Sequence, residues 1–441
     1  MPTARCRRAA VAGETESPRQ VASASATSVA SRKAGVFIVP NALSAASNTD
    51  ASVAPVAGQY ACAEKTKSSI GRVYAERCCG APPPALCPPN RSGLPSGPSP
   101  VCAAVSSLVL PPPLPPSALP DLEGPALLDL WERMVQIRRV EEMAAKAYTE
   151  RKVLGFCHLY IGQESVAVGA AAACRPEDRW ITGYREHGQA MAKGVSPRAM
   201  MAELFGKATG STGGLGGSMH IFDKNVHFMG GYGIVGAQCA LGTGVAWSLK
   251  QLKTNAVCLC WFGDGAANQG AFFESLCLAQ LFKLPIVFVC ENNFYAMGTA
   301  VDRQSSLTDM SLRGLGVGMV RDQFEGFDVE HVRKRMSAAI EYARSGAGPV
   351  IVEVVTYRHR GHSMSDPAKY RPAGELEEKK KSDPIALTEH RLRELGLGDA
   401  DFEAVRERVE LVAKDAYDYA DASPVPDPAA LYDYTYAPSG S

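Results

Sequence analysis

An acidic residue and an asparagine follow two apolar segments in the middle of the chain. Asp264, flanked by Gly263 and Gly265, ends one segment, and Asn293 ends the next, 29 residues later. If these segments are neighbouring parallel strands, their carboxyl ends face one crevice, where ligands bind. A carboxylate and an amide oxygen there form half of a site for Mg²⁺, which few protein ligands plus phosphates usually hold. The spacing therefore predicts a metal site, with a backbone carbonyl near Tyr295 as a third ligand.

The residues around Asp264 also suit a phosphate group. Gly265 lets the backbone approach a phosphate closely, and the N–H groups of residues 266–268 open the following helix and attract anions. The simpler alternative is that Asp264 only caps this helix and that Asn292 and Asn293 only form a turn. The spacing and the apolar strand on each side favour the metal site.

Hydrophobic periodicity predicts the elements that must position these residues. Ala126–Arg151 repeats apolar residues at helical spacing and predicts a long helix. Further along, two buried strands enclose a helix and a third strand follows, as in a right-handed βαβ arrangement with a parallel sheet. The predicted bounds are Val257–Phe262, Gln269–Lys283, Ile286–Cys290 and Pro349–Tyr357.

Three further stretches are predicted on composition. Gly206–Gly244 holds too many glycines for the interior of a helix or strand, so we expect a loop that moves or approaches a ligand closely. Glu375–Lys381 and Phe402–Ala420 are predicted as solvated helices.

The composition divides the chain at Pro120. Residues 1–120 hold 18 of the 30 prolines and carry 11 Lys and Arg against 5 Asp and Glu, whereas the rest carries 35 against 41. The first segment lacks periodicity and is poor in aromatic residues, so no packed core is expected there. Its arginine-rich start is typical of an organelle-targeting segment. Glu14 and Glu16 are unusual in such a segment, and a disordered tail is the alternative.

These features predict three parts. A disordered leader covers 1–120 and ends in a proline-rich, stiff linker. An α/β domain with a parallel sheet flanked by helices covers 121–372, and C-terminal helices and a tail cover 373–441.

Several classes of protein are excluded or unsupported. The sequence has no run of 18 apolar residues, so no membrane span is expected. The mildly acidic body lacks the basic face that nucleic-acid binding needs. The 13 cysteines form no Cys-x-x-Cys pair, which leaves zinc and redox motifs unsupported, and those of the body are interpreted as reduced core thiols.

The sequences of these motifs resemble those of the alpha subunits of the pyruvate dehydrogenase component of the pyruvate dehydrogenase complex, of the mitochondrial and alphaproteobacterial type. The resemblance covers about 122 to 432. It is carried by Gly263-Asp264-Gly265-Ala266-Ala267-Asn268-Gln269-Gly270, Glu291-Asn292-Asn293, Gly162-Gln163-Glu164, and residues 156–159, 181–188, 217–220, 233–238 and 360–367.

This resemblance implies the thiamine-diphosphate-binding fold, with thiamine diphosphate and Mg²⁺ as cofactors. It implies that Mg²⁺ is held by Asp264, Asn293 and the Tyr295 carbonyl. The other implied cofactor contacts are Tyr184, Arg185, Gly265 and Ala266 at the diphosphate, and Gly233 and Val235 at the aminopyrimidine. His158 and His362 are the implied catalytic residues, near the substrate and the diphosphate. A core histidine at 158 and a solvated helix start at 185–187 remain alternatives.

The family's chemistry also implies a partner. A glutamate on a second, pyrimidine-binding domain activates the cofactor, and the 321 residues after the leader leave little room for such a domain. In this family the beta chain supplies that glutamate; Glu164 is a weaker candidate within this chain. We therefore expect a heterotetramer of two alpha and two beta chains, with the isolated alpha chain inactive.

The implied reaction is oxidative decarboxylation of pyruvate, followed by reductive acetylation of a lipoyl group on the lipoyl domain of dihydrolipoyl acetyltransferase, which feeds acetyl-CoA synthesis. The alternatives are a branched-chain 2-oxo acid dehydrogenase alpha subunit and a nucleotide-binding or scaffold protein with a decayed site. The sequence at Asn268-Gln269 and at 363–367 favours pyruvate as the substrate.

The resemblance also concerns regulation and location. Ser363 matches the family's main inhibitory phosphorylation position, while the other two phosphorylation positions are not matched here, so Ser363 as an ordinary loop serine is the alternative. The expected location is the mitochondrial matrix, with the plastid stroma as the alternative.

Overall fold

Six strands form a parallel sheet in the part of the chain that the computed structural model describes, which is residue 111, residues 114–115 and residues 117–433. Counting two strands outside this sheet, the described strands in chain order are β1 (Arg179–Gly183), β2 (Phe228–Tyr232), β3 (Cys258–Gly263), β4 (Ile286–Asn292), β5 (Tyr295–Ala296), β6 (Thr299–Ala300), β7 (Val320–Glu325) and β8 (Val350–Val355). The sheet has the order β2-β1-β3-β4-β8-β7, and β5 pairs with β6 in a separate hairpin.

Helices connect and cover these strands. They are α1 (Gly124–Thr149), α2 (Glu164–Ala173), α3 (His187–Lys193), α4 (Pro197–Leu204), α5 (Ala237–Gln251), α6 (Gly270–Leu281), α7 (Val301–Gln304), α8 (Val329–Arg344), α9 (Glu375–Lys380), α10 (Pro384–Glu394), α11 (Asp399–Ala422) and α12 (Ala430–Asp433). None of the helices in the described residues has an apolar stretch of the length needed to cross a bilayer.

Both faces of the sheet are buried, because side chains alternate between two apolar clusters. Along β3, Leu259 belongs to the cluster that includes α1, α2 and α8, whereas Cys260 belongs to the cluster that includes α5 and α6. Strands that are buried on both sides need near-continuous apolar sequence, and β3 and β4 have it. The predicted α/β fold with a parallel sheet flanked by helices is therefore confirmed.

The strand order has a switch point between β1 and β3. From β1 the chain moves outward to β2, and it then returns across β1 to form β3 and β4 on the other side. In open parallel sheets the connections on the two sides of such a point lie on opposite faces, which leaves a crevice at the carboxyl ends of the strands. The segments after β1, β3 and β4 therefore meet at one edge.

The predicted elements agree with the structure to within a few residues, except in the glycine-rich tract. The prediction that Gly206–Gly244 is loop is wrong, because the tract contains β2 and the start of α5. Its glycines serve close packing: a Cβ on Gly231 would collide with the buried carboxylate of Glu186, and one on Gly242 would lie 3.0 Å from Ile181. Residues 206–216, which we call the glycine-rich loop, are the longest stretch of the tract without helix or strand.

The C-terminal helices pack onto the domain more tightly than predicted. Glu375–Lys380 is solvated as expected, with no buried residue in α9. The face of α11 that contains Phe402, Val409 and Tyr417 is buried, and the Phe402 ring packs edge-on against Trp131 of α1. The prediction of a solvated helix at 402–420 is therefore wrong on this face.

The predicted leader lies almost entirely outside the described residues. Of its last residues, Leu114 is buried in the first apolar cluster, and the Pro120 carbonyl accepts a hydrogen bond from Arg333 (2.6 Å). The predicted division into a leader, a domain ending at 372 and a C-terminal part stays a prediction.

Candidate active site

A cavity of about 880 Å³ opens at the edge where β1, β3 and β4 end. Apart from the weaker candidate Glu164, every residue predicted from the sequence to take part in the site lies on its wall. They are His158, Tyr184, Arg185, Gly233, Val235, Asp264, Gly265, Ala266, Asn293, Tyr295, His362 and Ser363. The structure thus brings the set together, whereas the role of each residue stays a prediction.

Asp264 and Asn293 lie on one rim because β3 and β4 are paired in register, with Gly263 opposite Glu291. Both side chains are buried, with Asp264 only 2 % exposed. Burial raises the pKa of Asp264 to about 6, although the hydrogen bond that Gln304 donates to the carboxylate and the positive charge of Arg358 oppose the rise. A buried carboxylate of this kind gains from a bound cation, because the cation offsets the cost of its charge.

The second asparagine shapes the turn that presents these oxygens. The Asn292 side chain accepts a hydrogen bond from the Phe294 N–H (3.1 Å) and donates one to the buried Glu353 (2.6 Å). Phe294 has a φ of 71°, in the left-handed region that non-glycine residues rarely adopt. The hydrogen bonds of the Asn292 side chain stabilise this strained conformation. Strained turns of this kind cluster at functional sites. The two asparagines therefore have different roles: Asn292 stabilises the turn, and Asn293 faces the cavity.

Arg358 is a site residue that the sequence prediction missed. Its guanidinium donates to Asn293 Oδ1 (3.5 Å) and to the Tyr295 carbonyl (3.3 Å), and it also acts electrostatically on Asp264. Two of the three predicted metal-ligating oxygens thus already point at one positive charge. A signal was present in the sequence, because Arg358 follows the apolar strand β8 closely, as Asp264 follows β3.

The donor set also fits the predicted metal. One carboxylate, one amide oxygen and one backbone carbonyl are hard oxygen ligands, and three of them leave positions for phosphate oxygens, as Mg²⁺ requires.

Two arginines make the cavity attractive to an anion. Arg185 donates to the Leu159 carbonyl (2.7 Å) and the His362 carbonyl (2.7 Å), and so ties two cavity-lining segments together. Burial, followed by repulsion from Arg358, lowers the pKa of Arg185 to about 10. Both arginines stay charged at neutral pH, and an anionic ligand between them would relieve their repulsion. A diphosphate meets this requirement, since guanidinium groups match phosphate oxygens.

The two predicted catalytic histidines lie next to each other. Their ring centroids are 5.1 Å apart, and the Tyr184 ring is 4.6 Å from that of His158. Burial, and then the charge of Arg185, lowers the pKa of His158 to about 2 and that of His362 to about 4. Both rings are therefore neutral at pH 7, and neither Nδ1 has a hydrogen-bond partner within the described part of the chain. They are free to donate to or accept from a ligand in the cavity.

The remaining predicted residues frame the cavity. Gly265 permits close packing, since a Cβ there would lie 2.7 Å from that of Ala296. Ala266 lines the cavity and begins the helical turn Ala266–Asn268. Ser363 is 8 % exposed and shares a hydrogen bond with Ser365 (3.0 Å).

Glu164, the weaker candidate within this chain for the activating glutamate, lies elsewhere. Glu164 is fully buried against Arg138 and does not line the cavity. His187 is also fully buried, between Glu141 (3.0 Å) and Ser218 (2.9 Å), and it links α1 and α3 to the 217–219 turn. The alternative that 185–187 is a solvated helix start is therefore wrong for His187.

Comparison with known proteins assigns the family. Residues 132–429 match the family described as "Dehydrogenase E1 component". The chain belongs to this family. Among its E1 relatives, "Pyruvate dehydrogenase E1 component subunit alpha" of Rhizobium meliloti is 47% identical over 307 residues, covering 69% of this chain and 88% of the relative. The protein of the same name from Zymomonas mobilis is 45% identical and covers 73% and 91%.

A mitochondrial relative is also similar. "Pyruvate dehydrogenase E1 component subunit alpha, testis-specific form, mitochondrial" of Rattus norvegicus is 42% identical over 312 residues, covering 70% of this chain and 79% of the relative. The resemblance of the motifs to pyruvate dehydrogenase alpha subunits is thereby confirmed.

Proposed function

We propose that this E1 chain is the alpha subunit of a pyruvate dehydrogenase, which decarboxylates pyruvate oxidatively with thiamine diphosphate and Mg²⁺. The observation that carries the proposal is the cavity wall itself. Asp264, Asn293, Arg185 and Arg358 converge on one space, at the switch point of a parallel sheet. Relatives that match most of this chain are named as pyruvate dehydrogenase alpha subunits.

The cavity residues divide into a metal set and a cofactor set. Asp264, Asn293 and the Tyr295 carbonyl would hold Mg²⁺. The diphosphate would lie against Tyr184, Arg185, Gly265 and Ala266. We add Arg358 to this set because it lines the cavity and its positive charge acts on Arg185. Gly233 and Val235, in the turn between β2 and α5, would contact the aminopyrimidine.

When bound, thiamine diphosphate supplies a nucleophilic carbon and an electron sink for the decarboxylation. The protein binds and orients the reactants and supplies electrostatics. Neutral His158 and His362 would hydrogen-bond the oxygens of a 2-oxo acid and hold a proton at Nδ1 or Nε2 for transfer. Arg185 fixes the segments that contain both histidines, since it bonds to the carbonyls of Leu159 and His362.

The proposal includes a partner chain. The described residues form a single parallel sheet besides the small β5–β6 hairpin. They offer three cavity carboxylates, Asp264, Glu291 and Asp366, of which Glu291 is already bonded to Tyr160 and Gln189 (2.8 Å). A beta chain would supply the pyrimidine-binding domain and its glutamate, in a heterotetramer of two alpha and two beta chains. The acetyl group would then pass to the lipoyl domain of dihydrolipoyl acetyltransferase.

The decisive experiment compares the chain alone with the chain co-purified with a pyruvate dehydrogenase beta subunit. Pyruvate-dependent reduction of an artificial electron acceptor is measured with thiamine diphosphate and Mg²⁺. We expect turnover only from the co-purified assembly, and loss of both turnover and cofactor binding in Asp264→Ala. Turnover by the single chain would overturn the need for a partner, and preference for a branched-chain 2-oxo acid in competition would favour the alternative dehydrogenase.

Regulation and location complete the proposal. Ser363 follows His362 directly, so a phosphate there would bring a charge of about −1.5 to −2 close to an anionic cofactor and oppose its binding. Phosphorylation of Ser363 would therefore inhibit the enzyme, and mass spectrometry of the native protein tests this. The mitochondrial matrix is the proposed location, with the plastid stroma as the alternative; a fusion of residues 1–120 to a fluorescent reporter distinguishes them.

A further inference from the structure

Two glutamines contact the two metal-ligand side chains; Gln304 lines the cavity, whereas Gln163 does not. Gln163 Oε1 accepts a hydrogen bond from Asn293 Nδ2 (3.2 Å). Gln304 Nε2 donates a hydrogen bond to Asp264 Oδ2. Each ligand therefore has one glutamine partner, and the two partners use atoms of opposite polarity.

We propose that Gln163 and Gln304 are positioning residues of the metal site, and that each one fixes which atom of its ligand faces the metal. This inference rests on the proposed function, because it concerns the Mg²⁺ site assigned there. Outer-shell partners of this kind orient the ligands of metal sites.

Gln163 sets the orientation of the Asn293 amide. An asparagine amide has a donor and an acceptor end, and only the oxygen end binds a cation. With Nδ2 held by Gln163, Asn293 Oδ1 points to the other side, where Arg358 lies 3.5 Å away. If the Asn293 amide were flipped, its oxygen would face Gln163 Oε1 and its N–H groups would face the N–H groups of Arg358. Both contacts would be repulsive, so both neighbours favour the metal-binding orientation.

Backbone hydrogen bonds fix the position of Gln163. The residue is fully buried, its N–H donates to the Tyr160 carbonyl (3.1 Å), and its carbonyl accepts from Val166 in the first turn of α2 (3.0 Å). The preceding Gly162 has a φ of 100° and packs against Tyr357, where a side chain would collide. The backbone thus holds Gln163 against the carboxyl end of β4.

Gln304 acts on Asp264 in the opposite sense. As a donor it satisfies Asp264 Oδ2 and so fixes the orientation of the carboxylate. The Gln304 carbonyl in turn accepts from the Asn268 side chain (3.3 Å), which ties the end of α7 to the turn after Asp264.

The test uses the chain co-purified with its beta subunit and measures binding of Mn²⁺ and thiamine diphosphate by calorimetry and Mn²⁺ electron paramagnetic resonance, without turnover. Methionine matches glutamine in length and removes the polar atoms, whereas glutamate keeps the acceptor and removes the donor. We expect Gln163→Met to weaken binding by on the order of 10–100-fold, and Gln163→Glu to bind within about 3-fold of the wild type because the acceptor remains.

At Gln304 we expect the reverse order, with weaker binding in the glutamate variant than in the methionine variant. Gln304→Met should weaken binding by on the order of 10-fold, and Gln304→Glu should weaken it further, since two carboxylates then face each other. Gln280→Met is the control, because Gln280 bonds to the Gly318 carbonyl away from the cavity (2.7 Å). Thermal unfolding of each variant accounts for loss of folded protein.

The outcomes separate the inference from the proposed function. Wild-type protein that fails to bind Mn²⁺ with thiamine diphosphate overturns both. Wild-type binding with unchanged affinity in the two methionine variants overturns the positioning roles alone. Equal losses in the glutamate and methionine variants at each site would reduce the glutamines to packing residues and overturn the polarity argument.

Discussion

Replacing Asp264 with asparagine should stabilise the cofactor-free protein while abolishing cofactor binding. The pKa of Asp264 rises from the usual 3.8 to about 6 because the carboxyl is buried. Each pKa unit is worth about 1.4 kcal/mol, so ionising this group in the folded chain costs about 3 kcal/mol. The neutral amide of Asp264→Asn does not bear this cost and keeps nearly the same shape.

The sign of the effect depends on pH. The folded chain holds the Asp264 proton more tightly than the unfolded chain does, so the cost is absent at low pH, grows between about pH 4 and 6, and is complete above pH 6. Urea unfolding should therefore show a gain of about 3 kcal/mol for Asp264→Asn at pH 8 and almost none at pH 4. With ligands at 100 times Kd, the wild type gains about 2.7 kcal/mol and the variant gains nothing.

Asp366→Asn is a control of opposite sign. Although burial raises the pKa of Asp366, hydrogen bonds from the His362 and Ala368 N–H groups and from Tyr370 outweigh this effect and lower it. This variant should lose stability at pH 8, and the loss should disappear as the pH falls through the folded-state pKa. If Asp264→Asn is no more stable than the wild type at pH 8, or equally stabilised at pH 4, the buried-charge argument is refuted.

Three further predictions concern the surroundings of the cavity. Glu203 accepts hydrogen bonds from four N–H groups in or next to the glycine-rich loop. Glu203→Gln should lose two of these bonds and lower the free energy of unfolding by about 3–6 kcal/mol. Unchanged amide hydrogen exchange in the loop would contradict this prediction. Gly231→Ala should not yield folded protein because its Cβ collides with Glu186, whereas Gly244→Ala, with nothing within 4 Å, should be soluble; equal yields would disprove the packing argument. Ser363→Asp should weaken thiamine diphosphate binding by at least about 10-fold through charge repulsion, and calorimetry that finds wild-type affinity would exclude the proposed regulation.

The parts of the fold that sequence predicted best are those that local pattern determines. β3, β4 and β8 are continuous apolar runs, and α1 has a clear helical period, so their bounds agree within a few residues. The placement of Asp264 and Asn293 on one rim followed from a topological rule that needs only the end of each strand. The other residues on the cavity wall were implied by the resemblance to the family and not by this rule.

The misses depend on contacts between distant segments. Glycine at 231 suits a strand only because Glu186 packs against it, and the buried face of α11 exists only because Trp131 lies opposite Phe402. The partnership of Gln304 with Asp264 likewise joins residues 40 positions apart. Composition and periodicity carry no information about such pairs.

The position of Arg358 bears on the order of ligand loading. Its guanidinium already rests on two oxygens that a divalent ion would need, so a free ion arriving alone meets like charge and must displace a side chain that is also bonded to Tyr370 (2.8 Å). A diphosphate that arrives with the ion brings the negative charge that draws the arginine aside. The chain should therefore take up the pair as a preformed chelate, and Mg²⁺ added by itself should leave the site almost unchanged.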